Sequence, residues 1–115
     1  MKIEKFEDII AWQKAKELAV LVYSLFKNNK DFGFKDQIQR AVISISNNIA
    51  EGFERRGDTE LKRFLFIAKG SCGEVRSMSY IAEELKYATM SDCIKIRQES
   101  VTISKILSAF IKKLQ

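Results

Sequence analysis

Apolar residues recur along this chain at steps of three and four rather than two, so the pattern predicts helices and no strands. Ile9, Trp12, Ala15, Leu18, Val22 and Leu25 share one face of a first helix over about residues 7–27. Asn28, Asn29 and Gly33 should end it, because Asn and Gly tolerate the left-handed backbone of helix C-termini. A second helix, over about residues 35–53, turns Ile38, Ala41, Val42, Ile45 and Ile49 inward, with Gly52 and Gly57 marking the turn after it. The third opens at Asp58 as N-cap, carries Glu60 in its first turn and reaches about residue 87, roughly 45 Å at 1.5 Å per residue. Its core stripe is Leu61, Phe64, Leu65, Ala68, Cys72, Val75, Met78, Ala82 and Leu85. The fourth, over about residues 92–114, is capped by Ser91 or Asp92 and buries Ile94, Val101, Ile106, Leu107, Phe110 and Leu114.

Connections this short make successive helices antiparallel. The expected fold is therefore all-α: one up-down-up-down four-helix bundle formed by residues 1–115. The chain has no Pro and only 5 Gly, so little interrupts long helices. An apolar fraction of 46% fits a globular domain.

The third helix departs from the amphipathic rule. Opposite its core stripe lie Phe66, Ile67, Gly70, Gly73, Ser77 and Ile81, where a surface helix should be charged. Self-association is the favoured reading, with Gly70, Gly73 and Ser77 permitting close backbone approach. A local kink with a few exposed apolar residues is the alternative. On the second helix Arg40, Ser44, Asn47 and Glu51 form a polar stripe. Such a stripe is commonly a plain solvent face; the other reading is a semi-buried network with Arg55 or Glu74.

Charge adds a lean towards an acidic partner, since Lys and Arg exceed Asp and Glu by 20 to 15, a net +5. Arg55, Arg56, Lys62, Lys69 and Arg76 lie in one basic stretch, and Lys62, Lys69 and Arg76 repeat every seven residues along one helix edge. Such an edge can follow phosphates of RNA or DNA, or can be merely a solvated face.

Absences narrow the chemistry. Without His there is no Ser-His-Asp triad and no Glu-x-x-His iron site of the kind helical bundles carry. Cys72 and Cys93 are too far apart in sequence for a metal pair and read as buried thiols of a reducing compartment. Glu51, Glu74, Glu83 and Glu84 read as solvated carboxylates. Lys69-Gly70-Ser71 sits mid-helix without the spacing of a phosphate loop, and Arg56-Gly57-Asp58 is better explained as a turn and cap. No enzyme, metal or cofactor is expected. Glu4, Glu7 and Asp8 interrupt any signal-peptide core, and the longest apolar run is Leu18–Tyr23, so neither export nor membrane insertion is expected and the chain is placed in the cytoplasm.

Particular strings carry a further likeness. Gln37-Ile38-Gln39-Arg40-Ala41, Ser44-Ile45, Asn48-Ile49-Ala50-Glu51-Gly52, Arg55, Arg63-Phe64-Leu65, Ile67-Ala68-Lys69-Gly70-Ser71 and Glu74, with Trp12 and Ala15 before them, resemble a bacterial four-helix bundle family. That family is named for open reading frames in intervening sequences of 23S ribosomal RNA genes. The turn after the first helix lacks the family's usual Pro, and Gln39 stands where an Arg is usual. The resemblance implies a ring-like homo-oligomer, often a pentamer, and no catalytic activity. A related group serves as accessory proteins to the reverse transcriptases of diversity-generating retroelements, binding nucleic acid and the polymerase through a basic ring surface. The resemblance thus implies a scaffold that contacts RNA or a ribonucleoprotein, or else a protein adaptor without nucleic-acid contact.

Overall fold

The computed structural model describes residues 3–114. Met1, Lys2 and Gln115, which belong to the single domain expected over 1–115, lie outside the described residues. Four helices follow a 3₁₀ turn at Phe6–Asp8: α1 (Ile10–Phe26), α2 (Phe32–Glu54), α3 (Asp58–Glu84) and α4 (Met90–Lys113). No strand occurs among the described residues. The pairs α1–α2, α2–α3, α3–α4 and α1–α4 pack together, closing a bundle of 43 × 20 × 19 Å. No described helix is long and apolar enough to cross a membrane.

The boundaries correct several expectations, each for a local reason. The first helix does not run from Glu7. Ile9 adopts an extended backbone, φ −76° and ψ 121°, and buries its side chain. The 3₁₀ turn before it lays Phe6 edge-on against Trp12 at 5.1 Å. Gly33 is no stop signal either, since it lies in the first turn of α2. Asp31 starts that helix by accepting the Phe34 N–H on Oδ1 at 3.1 Å. Its own N–H donates to Asn29 Oδ1 at 2.8 Å.

The cap of α3 is Gly57, not Asp58; Asp58 is its first residue, well placed for the positive end of the dipole. The left-handed residue of that turn is Arg56, at φ 62°, while Gly57 is extended. At the other end α3 stops at Glu84 rather than residue 87. Lys86 takes φ 60°, its N–H donates to Glu83 O, and the Tyr87 N–H donates to Ala82 O at 2.8 Å. This is a Schellman end with Lys where Gly is usual, so the sequence carries no glycine to announce it. Thr89, not Ser91 or Asp92, caps α4 by accepting the Asp92 N–H at 3.1 Å.

The core runs the length of the bundle. Phe26, Leu18, Ile38, Ile45, Ile49, Leu65, Ile96, Ile103 and Leu107 are fully buried. The expected stripe of α3 is buried except Leu85, which is exposed. The register of α4 differs from the expected one. Cys93, Ile96, Ser100, Ile103, Leu107 and Ile111 face inward, Ile94 is exposed, and Val101, Ile106, Phe110 and Leu114 are half-buried flanks. The pattern misleads because Ser100 occupies the middle of the seam, where it closes its own hydrogen bond to Ile96 O at 2.8 Å.

Gly52 is not a turn residue but a buried position of α2. A Cβ there would stand 2.6 Å from Phe64 Cβ on α3, so the backbones meet too closely for any side chain.

Candidate functional site on the third helix

All six residues of the outward face, Phe66, Ile67, Gly70, Gly73, Ser77 and Ile81, are exposed in the single chain. α3 is one unbroken helix through them. Gly70 and Gly73 border open space, with no atom within 4 Å of an added Cβ, so nothing in the bundle itself requires glycine there. Tyr80 lies beside this strip, also exposed. Apolar residues left outward without cover from their own chain are a feature of association surfaces.

The basic edge divides into two parts. At the start of α3, Arg55 is held by Glu51 Oε2 at 2.8 Å and Glu60 Oε1 at 3.5 Å. Arg63 pairs with the same Glu60 at 3.1 Å, which holds the Glu60 carboxyl below its usual range. Both guanidinium groups lie over the Phe64 ring, at 5.0 and 4.6 Å. Arg56 leans on Phe53 at 5.7 Å. Arg55 thus has carboxylate partners on its own chain, in pairs that are exposed to solvent. Further along, Lys62, Lys69 and Arg76 form no ion pair among the described residues. Lys69 donates to Ser104 Oγ on α4 at 3.1 Å, which fixes its ammonium at the α3–α4 boundary.

The polar stripe of α2 does not act as a unit. Arg40 pairs with Asp36 in the exposed turn before it, at 2.8 Å. Asn47 is exposed, and Glu51 holds Arg55 on the surface. Ser44 alone turns towards α3, accepting from Asn48 Nδ2 at 2.8 Å and from Ser71 Oγ at 2.9 Å. Glu74 bonds Gln37 at 3.3 Å instead of joining the stripe.

One cluster escaped the sequence altogether. Arg97 of α4 donates from Nε to Ser79 Oγ at 3.0 Å and from Nη2 to Glu83 Oε1 at 2.7 Å, pinning α3 to α4. Its side chain is 16% exposed, and its guanidinium stacks under the Tyr80 ring at 3.7 Å. No periodicity announces a partnership between residues 18 positions apart.

Nucleophilic chemistry finds little support in the thiols. Burial pushes the Cys72 thiol up to about 12, against a smaller opposing effect of Lys69, and it also raises Cys93. Among the described residues no three His, Cys, Asp or Glu side chains gather as metal ligands.

No curated protein matches the chain. A solved structure from Bacteroides thetaiotaomicron does, a protein with unknown function from the S23 ribosomal protein family. It is 26% identical, superposes with a TM-score of 0.83, and the match covers 90% of this chain and 99% of that one. The family model described as 23S rRNA-intervening sequence protein matches residues 7–109, a span that takes in the outward face of α3, the basic edge and the Arg97 cluster. The chain is therefore a member of the 23S rRNA-intervening sequence protein family.

Proposed function

We propose that this protein is a non-catalytic subunit of a ring-like homo-oligomer, a pentamer, that binds RNA or a ribonucleoprotein in the cytoplasm. The subunit is an up-down-up-down bundle, and α3 serves both contacts. Phe66, Ile67, Gly70, Gly73, Ser77 and Ile81 meet a neighbouring copy, while Lys62, Lys69 and Arg76 face phosphates. The observation that carries this reading is the adjacency of the two strips on one helix: an uncovered apolar and small-residue face beside cations without carboxylate partners. A ring repeats the edge in every subunit, so contacts that are weak singly gain avidity together. The absence of His in the sequence and the raised Cys72 thiol support a binding role over a catalytic one.

The test joins assembly to salt dependence. Light scattering should find the wild type larger than a monomer, and Gly70→Glu should break it into smaller species. Binding to structured RNA should weaken linearly in log–log form with salt. The pair Lys62→Glu and Lys69→Glu should lower affinity for all RNA sequences alike and flatten that slope without changing the oligomer. A monomeric wild type refutes the ring; undiminished binding by the charge-reversed pair refutes the edge.

A second reading, a protein adaptor such as one for a reverse transcriptase, is favoured by a different surface. Phe32, Leu85 and Met90 are exposed by 71%, 51% and 63%. They lie at or beside the α1–α2 and α3–α4 connections, which the Asp31–Tyr87 hydrogen bond joins at one end of the bundle. An apolar end of this kind suits a protein partner better than a phosphate backbone.

A further inference from the structure

We infer that Tyr80, backed by the Arg97 guanidinium, is a stacking platform for one unpaired base of an RNA strand whose backbone follows the Lys62–Lys69–Arg76 edge. The inference rests on the RNA-binding reading above and gives it a substrate class: single strands, loops or bulges rather than perfect duplex.

The platform is built rather than incidental. Tyr80 is 54% exposed although one ring face rests on Arg97, so its exposure comes from the opposite face and the edge. The guanidinium beneath it cannot swing away freely, because Ser79 Oγ, Ser79 O and Glu83 Oε1 hold it at 3.0, 3.4 and 2.7 Å. A tyrosine fixed on a rigid support has already lost much of its rotamer freedom, so a base stacking on it incurs less ordering cost. The cation beneath the ring adds to its grip on a base above, as in single-strand binders that combine aromatic faces with basic grooves.

Charge decides what the site recognises. Arg76 stands one turn before Tyr80 on α3, and the groove beside them is walled by Gln98, Glu99 and Thr102 of α4. Arg97 is balanced by Glu83, and Glu99 lines the same groove as Arg76 without pairing with it, so the groove carries little net charge of its own. What it offers is a flat π surface flanked by the amide of Gln98 and the hydroxyl of Thr102, groups suited to a base edge. Phosphate attraction comes from Lys62 and Lys69 further along the same edge. A base within a duplex already has both faces covered by its neighbours and gains nothing here. An unpaired base does.

The experiment compares a fluorescein-labelled single-stranded oligoribonucleotide with the same sequence in duplex, by fluorescence anisotropy at fixed salt. Tyr80→Leu should weaken single-strand binding about tenfold while changing duplex binding and the salt slope little. Tyr80→Phe, which keeps the ring, should bind as the wild type does. Light scattering and thermal melting establish that both variants keep the assembly and the fold. Equal loss on both probes, or no loss with Tyr80→Leu, overturns the platform and leaves the basic edge standing. A wild type that binds neither probe overturns the RNA reading and the platform together.

Discussion

The two sides of α3 use small residues in opposite ways. Towards α2, helix meets helix so closely that Gly52 leaves 2.6 Å between a would-be Cβ and Phe64 Cβ. Away from the bundle, Gly70 and Gly73 have nothing within 4 Å. The first glycine is required by the fold of a single chain. The other two weaken their helix by about 1 kcal/mol each relative to Ala and receive no compensation inside that chain. Conformationally costly residues with no internal purpose suggest a contact made elsewhere, which is why the outward face leads the functional reading.

The sharpest way to break this contrast is to make one substitution on both sides. Gly52→Ala should destabilise the protein by about 1–3 kcal/mol, because neither the α2 backbone nor the Cβ of Phe64 can retreat without moving a helix. The helix-propensity gain of Ala opposes this loss but does not cancel it. A lowered denaturation midpoint with an unchanged slope is the expected signature. Unchanged or raised stability would mean that α2 and α3 slide apart freely, and the close crossing would lose its explanatory role.

The partner substitution, Gly70→Ala, should do the reverse on a smaller scale. Measured under conditions that keep the chain monomeric, it should stabilise by about 0.5–1 kcal/mol, since Ala loses less backbone freedom than Gly and meets no neighbour. Measured on the ring proposed above, the same methyl should weaken subunit association. Opposite signs in the two measurements would locate the requirement for glycine at the subunit contact. Stabilisation in both would leave this face merely tolerant of glycine.

Much of the fold was legible because a helix periodicity sums over many residues. The three-and-four period places Leu61, Phe64, Leu65, Ala68, Cys72, Val75, Met78 and Ala82 in the core of α3, and all are buried. Errors gathered where one residue decides. Lys86 and Arg56 take the left-handed backbone that is ordinarily a glycine's, at φ 60° and 62°, so α3 ends three residues before its apolar period does and Arg56, not Gly57, makes the bend before it. Ser100 sits in the seam of α4 at a position where the period expects an apolar residue, so the apolar pattern alone points to Ile94 instead of the buried register. Gly52 read as turn punctuation because a sequence does not distinguish a glycine that bends the chain from one that admits a neighbour. At the candidate site, the residues of one helix edge could be grouped by spacing alone. The Arg55–Glu51 pair has the four-residue spacing of one helix face, whereas the Arg55–Glu60 pair across the turn and the Arg97 support beneath Tyr80 depend on how separate segments meet.

Packed contacts and open ones should also differ in how pH reaches them, and the end of the bundle tests this at the smallest scale. Asp31 caps α2 with Oδ1 and accepts the Tyr87 hydroxyl on Oδ2 at 2.6 Å, joining the α1–α2 connection to the segment after α3. The Tyr87 bond, then the Phe34 N–H, lower the Asp31 carboxyl below its ordinary 3.8. The same bond raises the Tyr87 hydroxyl above its ordinary 10.0. A carboxylate with a lowered folded value contributes stability that is present above about pH 4 and is lost as pH falls through that lowered value. A phenol with a raised folded value contributes stability that is fully present below about pH 10 and is lost as pH climbs through the raised value. Melting temperature should therefore hold a plateau between these limits as far as this pair is concerned. Tyr87→Phe should remove the alkaline contribution and flatten the acid one without abolishing it, since the Phe34 cap remains. Both groups face solvent, so the change should be small beside that of Gly52→Ala. A Tyr87→Phe profile that superimposes on the wild type at both extremes would show that the Asp31–Tyr87 bond exchanges with water and that packing alone holds this end together.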